Sequence, residues 1–211
     1  MMKNKFKFII PAIVTLFPML FGIIVWDKLP ETVAVHWGPS GVADGFANKG
    51  IAVFLFPLLF VVIYVLCLFH ESKFGKNESN EKFYNIFLWI VPVLSFVCNS
   101  FVYLTAFGKE ISVPYIMVIL FSSMFVILGN YLPKMKQSRT MGIKIKWTLE
   151  DEGNWNATHR FSGKVWVIGG LLNFATLLLP TEYIFVGFIV VLVAMVSIPT
   201  IYSYNYYKKH K

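Results

Sequence analysis

IAVFLFPLLFVVIYVLCLF, Ile51 to Phe69, runs without a charged residue. A helix needs about 20 mostly apolar residues to cross a bilayer. Only a helix, or a closed barrel, can satisfy its own backbone in lipid. This stretch therefore predicts a membrane-spanning helix. Five further apolar runs flank it: Phe8 to Trp26, Phe83 to Phe107, Val113 to Leu132, the shorter Lys164 to Leu179, and Tyr183 to Tyr204. The expectation is an all-α polytopic membrane protein with six transmembrane helices. Pro11, Pro18, Pro57, Pro92 and Pro199 fall inside these runs. Neighbouring helices can re-satisfy a carbonyl freed by proline, so kinks are expected rather than breaks.

Composition agrees. The chain has 211 residues, 57% hydrophobic and 14% charged, with 21 Phe. Soluble domains carry about 25% charged residues. A formal charge of +8 invites a nucleic-acid reading. The cations instead sit at the ends of apolar runs, where anionic headgroups attract them, so no direct nucleic-acid contact is expected. With the N-terminus inside, sixteen of the 19 Lys and Arg face the cytoplasm, and only Lys28, Lys49 and Lys109 lie outside. That asymmetry predicts both termini in the cytoplasm. Trp26, Trp89, Tyr183, Tyr204, Tyr206 and Tyr207 stand near span ends, as interfacial aromatics do.

Lys3, Lys5 and Lys7 ahead of the first run resemble a signal peptide. The run is longer than the 7–15 residues of a signal core and no A-x-A site follows, so it reads as an uncleaved first span. Cys67 and Cys98 sit in apolar runs and read as small buried hydrophobes. Asn77-Glu-Ser79 and Asn156-Ala-Thr158 match the glycosylation pattern, but the topology puts both inside. His70 to Lys82 reads as a solvated loop. Four segments result: 1–50, a first span with an external loop; 51–132, spans two to four; 133–163, a cytoplasmic amphipathic segment; and 164–211, spans five and six with a basic tail.

The external loop, DKLPETVAVHWGPSGVADGFANKG, is rich in Pro and Gly. Thr32 to Trp37 reads as a strand and Asp44-Gly45 as a turn, so the loop is turn-rich and can hold a short hairpin. His36, Trp37 and Asp44 are its notable side chains. They suit either a docking or proton-sensitive site, or a structural loop packed at the membrane surface.

The internal segment has two parts. In its first, Met141, Ile143, Ile145 and Trp147 alternate with Lys144 and Lys146. This predicts an extended stretch with one greasy and one basic face, suited to anionic lipid or to an acidic protein partner. Thr148 to Asp151 then reads as a helix start, with Thr148 as cap and Glu150, Asp151 and Glu152 in the first turn. Helical spacing puts Trp155, Thr158, His159 and Ser162 on one semi-polar face. Arg160 and Lys164 follow.

No metal-ligand spacing, nucleophile elbow, phosphate loop or dinucleotide fingerprint is present. Catalytic residues, metal and cofactor are therefore all expected to be none, and an enzyme is not the expectation. The spans hold Asn99, Ser100, Thr105, Ser122, Ser123, Asn130, Asn173 and Thr176, but no central charge. This argues against proton-coupled transport and leaves a facilitator open.

LPETVAVHWGPSGVADGFANK resembles a membrane-associated module with the pattern L-P-x-x-I-P-x-H-W-x-x-x-G-x-x-D, matching at Leu29, Pro30, His36, Trp37, Gly41 and Asp44. The inner segment resembles the signature of the SdpI family of bacterial immunity proteins: G-N-x-x-P-K, then G-I-R-x-P-W-T-L, then W-x-x-T-H-R-x-x-G-K. Asn130, Pro133, Trp147, Thr148, Trp155, His159 and Arg160 match it, while Lys144 replaces the usual Arg and Lys146 the usual Pro. The resemblance implies immunity to a secreted toxin peptide and signalling through a cytoplasmic repressor. Peptide sensing would then fall to His36, Trp37 and Asp44. Signalling would fall to Asn130, Pro133, Lys144, Trp147, Thr148, Trp155, His159 and Arg160. Membrane lipid, toxin peptide and repressor are the expected partners. Two alternatives stay open: a membrane enzyme acting on lipid or peptide through His159, Arg160 and Glu150 to Glu152, and a small-solute facilitator.

Overall fold

A computed structural model describes residues 6–74 and 81–210. Lys3, Lys5, Lys76, Asn77 and Lys211 lie outside them. The protein is mostly helical. In chain order it has α1 (Phe6–Ile24), a 3-10 turn (Trp26–Lys28), β1 (Thr32–Trp37), β2 (Ala43–Asn48) and a π-helical turn (Ile51–Leu55). Then come α2 (Phe56–Phe74), α3 (Glu81–Ala106), α4 (Val113–Tyr131), a 3-10 turn (Leu132–Lys134), α5 (Lys146–Glu150), α6 (Glu152–Thr176) and α7 (Thr181–His210).

Among the described residues, five helices are long and apolar enough to cross a membrane: Phe6–Ile24, Ile51–Lys73, Phe83–Ala106, Val113–Lys134 and Thr181–His210. Ile, Leu and Phe side chains stand exposed along them, as lipid-facing residues would. The sixth expected span falls on α6. That helix is continuous, but its N-terminal half carries Glu152, Arg160 and Lys164 and its C-terminal half holds Gly169, Gly170 and Asn173. The apolar part alone is shorter than a bilayer is thick. Pro11, Pro18, Pro92 and Pro199 lie within continuous helices. The Asp27–Gly50 loop holds the short hairpin that its sequence allows, β1 and β2 forming a two-stranded antiparallel sheet.

The chain divides into two compact units, Met1–Phe69 with Tyr84–Val113, and His70–Phe83 with Pro114–Lys211. In the first, side-chain hydroxyls tie helices to backbone carbonyls: Ser95 Oγ donates to Thr15 O (3.0 Å) and the Tyr103 hydroxyl to Pro18 O (2.8 Å). Gly22 lies against Tyr103 and Val53, where a Cβ would collide with both. The hairpin docks through Val33, buried with Ala52 and Val102, and through Trp37, which meets Phe101 edge-on at 6.4 Å. Its base is closed by an ion pair of Lys49 with Glu31 (2.9 Å), and the same ammonium lies over the Trp26 ring.

In the second unit α6 and α7 run antiparallel. Asn154 meets Ser203, Phe161 stacks on Tyr202 at 4.3 Å, and Gly169 lies against Met195. Small residues let α4 approach α6: Gly129 faces the backbone of Gly163 and Val167, and Gly170 faces that of Ser122. Close backbone approach through glycine is how helices associate where lipid removes the hydrophobic drive.

Candidate functional site

Two clusters hold most of the singled-out residues. The first is on the hairpin. The ladder pairs Thr32 with Asn48, Val33 with Ala47 and Ala34 with Phe46, then slips, so that His36 faces Gly45 and Trp37 faces Ala43. The slip comes from an extra residue in β1, Val35, and is undone by one in β2, Asp44; such bulges re-aim side chains. The slip carries His36 across Gly45, where a Cβ would stand 2.7 Å from the His36 Cβ. His36 Nδ1 thereby reaches Asp44 Oδ1 at 2.5 Å. The pair is exposed, at 72% and 52% of the side-chain surface, so it stays in contact with solvent. Trp37 points the other way, into the packing against Phe101. Of the three expected sensing residues, His36 and Asp44 form one site and Trp37 anchors it.

The second cluster is the segment 133–163. The alternation from Met141 to Trp147 holds: Met141 is buried, Ile143, Ile145 and Trp147 are partly buried, and Lys144 and Lys146 are exposed. Among the described residues the stretch pairs with no strand. It wraps over α6 and is held by side chains. Trp155 Nε1 donates to Met135 O (2.9 Å). The Trp155 ring stacks on His159 with centroids 3.9 Å apart. His159 Nδ1 lies 2.9 Å from Trp155 O, which can only accept, so this nitrogen carries the proton. His159 Nε2 then accepts from the Ile143 amide at 3.0 Å. Both ring nitrogens are used and the imidazole is neutral. Burial lowers its pKa to about 4, against a smaller opposing pull from the Trp155 carbonyl.

Gly142 makes this contact possible. Its φ is +107, and a Cβ there would lie 2.6 Å from His159 Nε2. A side chain is excluded on both counts.

The expected cap needs correcting. Thr148 does not start the long helix. It is the third residue of the short α5, where Oγ1 donates to Ile143 O (2.7 Å) and accepts from the Ile145 amide (3.1 Å). Asp151 caps α6 instead, accepting from the Gly153 amide at 2.8 Å. Its carboxylate at a helix N-terminus is also favoured by the dipole. The hydroxyl serves the start of α5 instead, taking the amide of its N-cap Ile145.

The helix face expected from spacing is buried within the unit: Trp155, Thr158, His159 and Ser162 are all at most 1% exposed. Asn154, which spacing alone did not single out, organises the polar side of that face. Its Nδ2 donates to Ser203 O (3.0 Å), and its Oδ1 accepts from Ser203 Oγ (2.7 Å) and Thr158 Oγ1 (2.8 Å). The signal was the four-residue spacing of Asn154, Thr158 and Ser162. Pro133 seats on Gly163, and Trp147 packs beside Tyr204 and Tyr207 at 5.0 and 6.0 Å. Asn130, Lys144 and Arg160 are exposed and take no part in the buried knot. The chemistry is thus a neutral, fully hydrogen-bonded clamp under an exposed cationic surface. Among the described residues no group of three or more His, Cys, Asp or Glu is placed to hold a metal.

The SdpI/YfhL protein family model matches residues 134–203, which is this clamp together with α6 and most of α7. Over these residues the chain is similar to the SdpI family. A second family model, a domain of unknown function (DUF1648), matches residues 13–61, the span and hairpin carrying His36 and Asp44. The immunity protein SdpI of Bacillus subtilis strain 168 is 26% identical over 203 residues, covering 96% of this chain and 97% of the relative. No solved structure matches.

Proposed function

We propose that this membrane protein is an immunity protein of the SdpI family, multi-pass in the bacterial plasma membrane with both termini inside, that protects against a secreted toxin peptide. The observation that carries the reading is similarity along nearly the whole length to an immunity protein, spanning hairpin and clamp alike. The charge asymmetry puts the hairpin outside, where His36 and Asp44 meet the peptide first. It puts the clamp inside, where exposed Lys144, Lys146 and Arg160 are available to an acidic surface of a cytoplasmic repressor. The His159 geometry weighs against the enzyme alternative. A general base needs a free lone pair within reach of substrate, and both imidazole nitrogens here face the backbone.

The test is expression in a toxin-sensitive bacterium challenged with the secreted killing peptide of the Bacillus subtilis relative. Protected growth at ordinary membrane levels is the expected result. Killing equal to that of the empty host, with the protein present in the membrane, would refute the reading.

A further inference from the structure

Among the described residues nothing pairs with the outer edge of β2. The Lys49 amide donates to Glu31 O at 2.9 Å, which makes Glu31 and Lys49 a hydrogen-bonded pair. In an antiparallel ladder such pairs alternate with pairs whose amides and carbonyls point away. Val33 and Ala47 are then bonded to each other, and the N–H and C=O of Phe46 and Asn48 point to the open side of β2. Side chains tell the same story. Phe46 is 63% exposed and Val42 66%, on a hairpin whose other face is packed down through Val33 and Trp37.

Natural edges are usually blunted by Pro, Lys or a bulge. β2, ADGFAN, has neither Pro nor Lys, and its own irregularity, at Asp44, comes before the regularly paired stretch of Phe46 to Asn48. Its charge, Asp44, is drawn aside by His36. An edge that presents donor and acceptor together at every second residue matches the backbone of an extended peptide. A lipid phosphate would satisfy the donors and leave the carbonyls unpaired.

We propose that β2 takes one extended segment of the secreted peptide as a third strand, bonded to the Phe46 and Asn48 backbone, with apolar side chains on the Phe46 ring beside the His36–Asp44 pair. This rests on the immunity reading and adds the binding mode. Backbone bonds supply affinity in such strand addition, and the alternate side chains supply selectivity.

The test uses the full chain in phospholipid nanodiscs and the purified killing peptide of the Bacillus subtilis relative. Amide hydrogen exchange is read by NMR on selectively labelled Phe and Asn. Peptide should slow exchange at Phe46 and Asn48 by about tenfold or more, the scale of one lost opening equilibrium. Phe46→Pro deletes an edge donor that β1 does not use, whereas Phe46→Ala keeps the donor and loses the ring. The Pro variant should bind about tenfold more weakly than the Ala variant. Binding with unchanged exchange, or equal affinity of the two variants, overturns strand addition and leaves immunity standing. Edge protection before peptide is added, in discs holding two copies, overturns it in favour of self-pairing. No binding by the parent chain overturns the immunity reading and this occupant with it.

Discussion

The Ile143 amide donates to His159 Nε2 at 3.0 Å, across sixteen residues of sequence. This bond joins the basic loop to the helix beneath it, and it exists only while the imidazole is neutral. Protonated Nε2 would set one donor against another.

The clamp should therefore weaken in acid. A group that folds neutral, with its pKa lowered to about 4, binds fewer protons than the unfolded chain at any pH between there and its ordinary 6.5. Stability is complete above about pH 6.5 and falls as pH drops through that window, by about 2 kcal/mol at pH 5. Thermal unfolding in nanodiscs at pH 7.5 and pH 5 measures it. His159→Gln should show a lower stability at pH 7.5 and a much smaller fall between the two; an equal fall would clear His159 of the effect.

Gly142→Ala and Gly108→Ala form a matched pair. Both positions have positive φ, at +107 and +72, but a Cβ at Gly108 meets open space whereas one at Gly142 meets His159 and Trp155. The Gly108 change should cost about 1 kcal/mol, from backbone strain alone. The Gly142 change should cost about 2–4 kcal/mol and expose the Lys134–Lys146 loop to protease. Equal costs would mean the loop shifts freely off the helix.

His36→Ala and Asp44→Asn should separate protection from folding. An exposed pair contributes little to stability, about 0–1 kcal/mol, so membrane levels should hold while protection falls. Val33→Asp, at a site 3% exposed, should lower both. Full protection by both hairpin variants would move the sensing site elsewhere.

On the cationic surface, recruitment of a cytoplasmic partner to membranes can be measured for Lys→Gln at Lys134, Lys136, Lys144 and Lys146. Docking of a protein concentrates its energy in few residues, and Lys144, exposed and at the family's Arg position, should dominate. Equal small losses of about 1 kcal/mol each would describe a lipid anchor instead.

Orientation is tested by cysteines at two exposed positions, Ser40 and Arg139, in a background where Cys67 and Cys98 are replaced. An impermeant reagent on intact cells should label Ser40→Cys, and label Arg139→Cys only after permeabilisation. The reverse pattern would invert the topology.

Periodicity and composition alone determined which faces are buried. The five long apolar helices, the β1 strand from Thr32 to Trp37, the alternation of Met141 to Trp147 and the shared face of Trp155, Thr158, His159 and Ser162 were all legible, because each depends on residues a few positions apart. Hydropathy over α6 was less decisive, since Gly169, Gly170 and Asn173 interrupt the apolar run that follows its polar half. Tertiary structure decided the partners. Nothing in the spacing of Gly142, Ile143 and His159 says that a loop amide meets an imidazole ring nitrogen rather than water, or that a bulge brings His36 to Asp44. Nor does it say that Asn154 finds Ser203 on the next helix, or that Thr148 turns to Ile143 and leaves the cap to Asp151. A local pattern fixes the direction in which a side chain points. What it meets there depends on where distant backbone returns, and that is set by the packing of glycine against helix and of loop against ring.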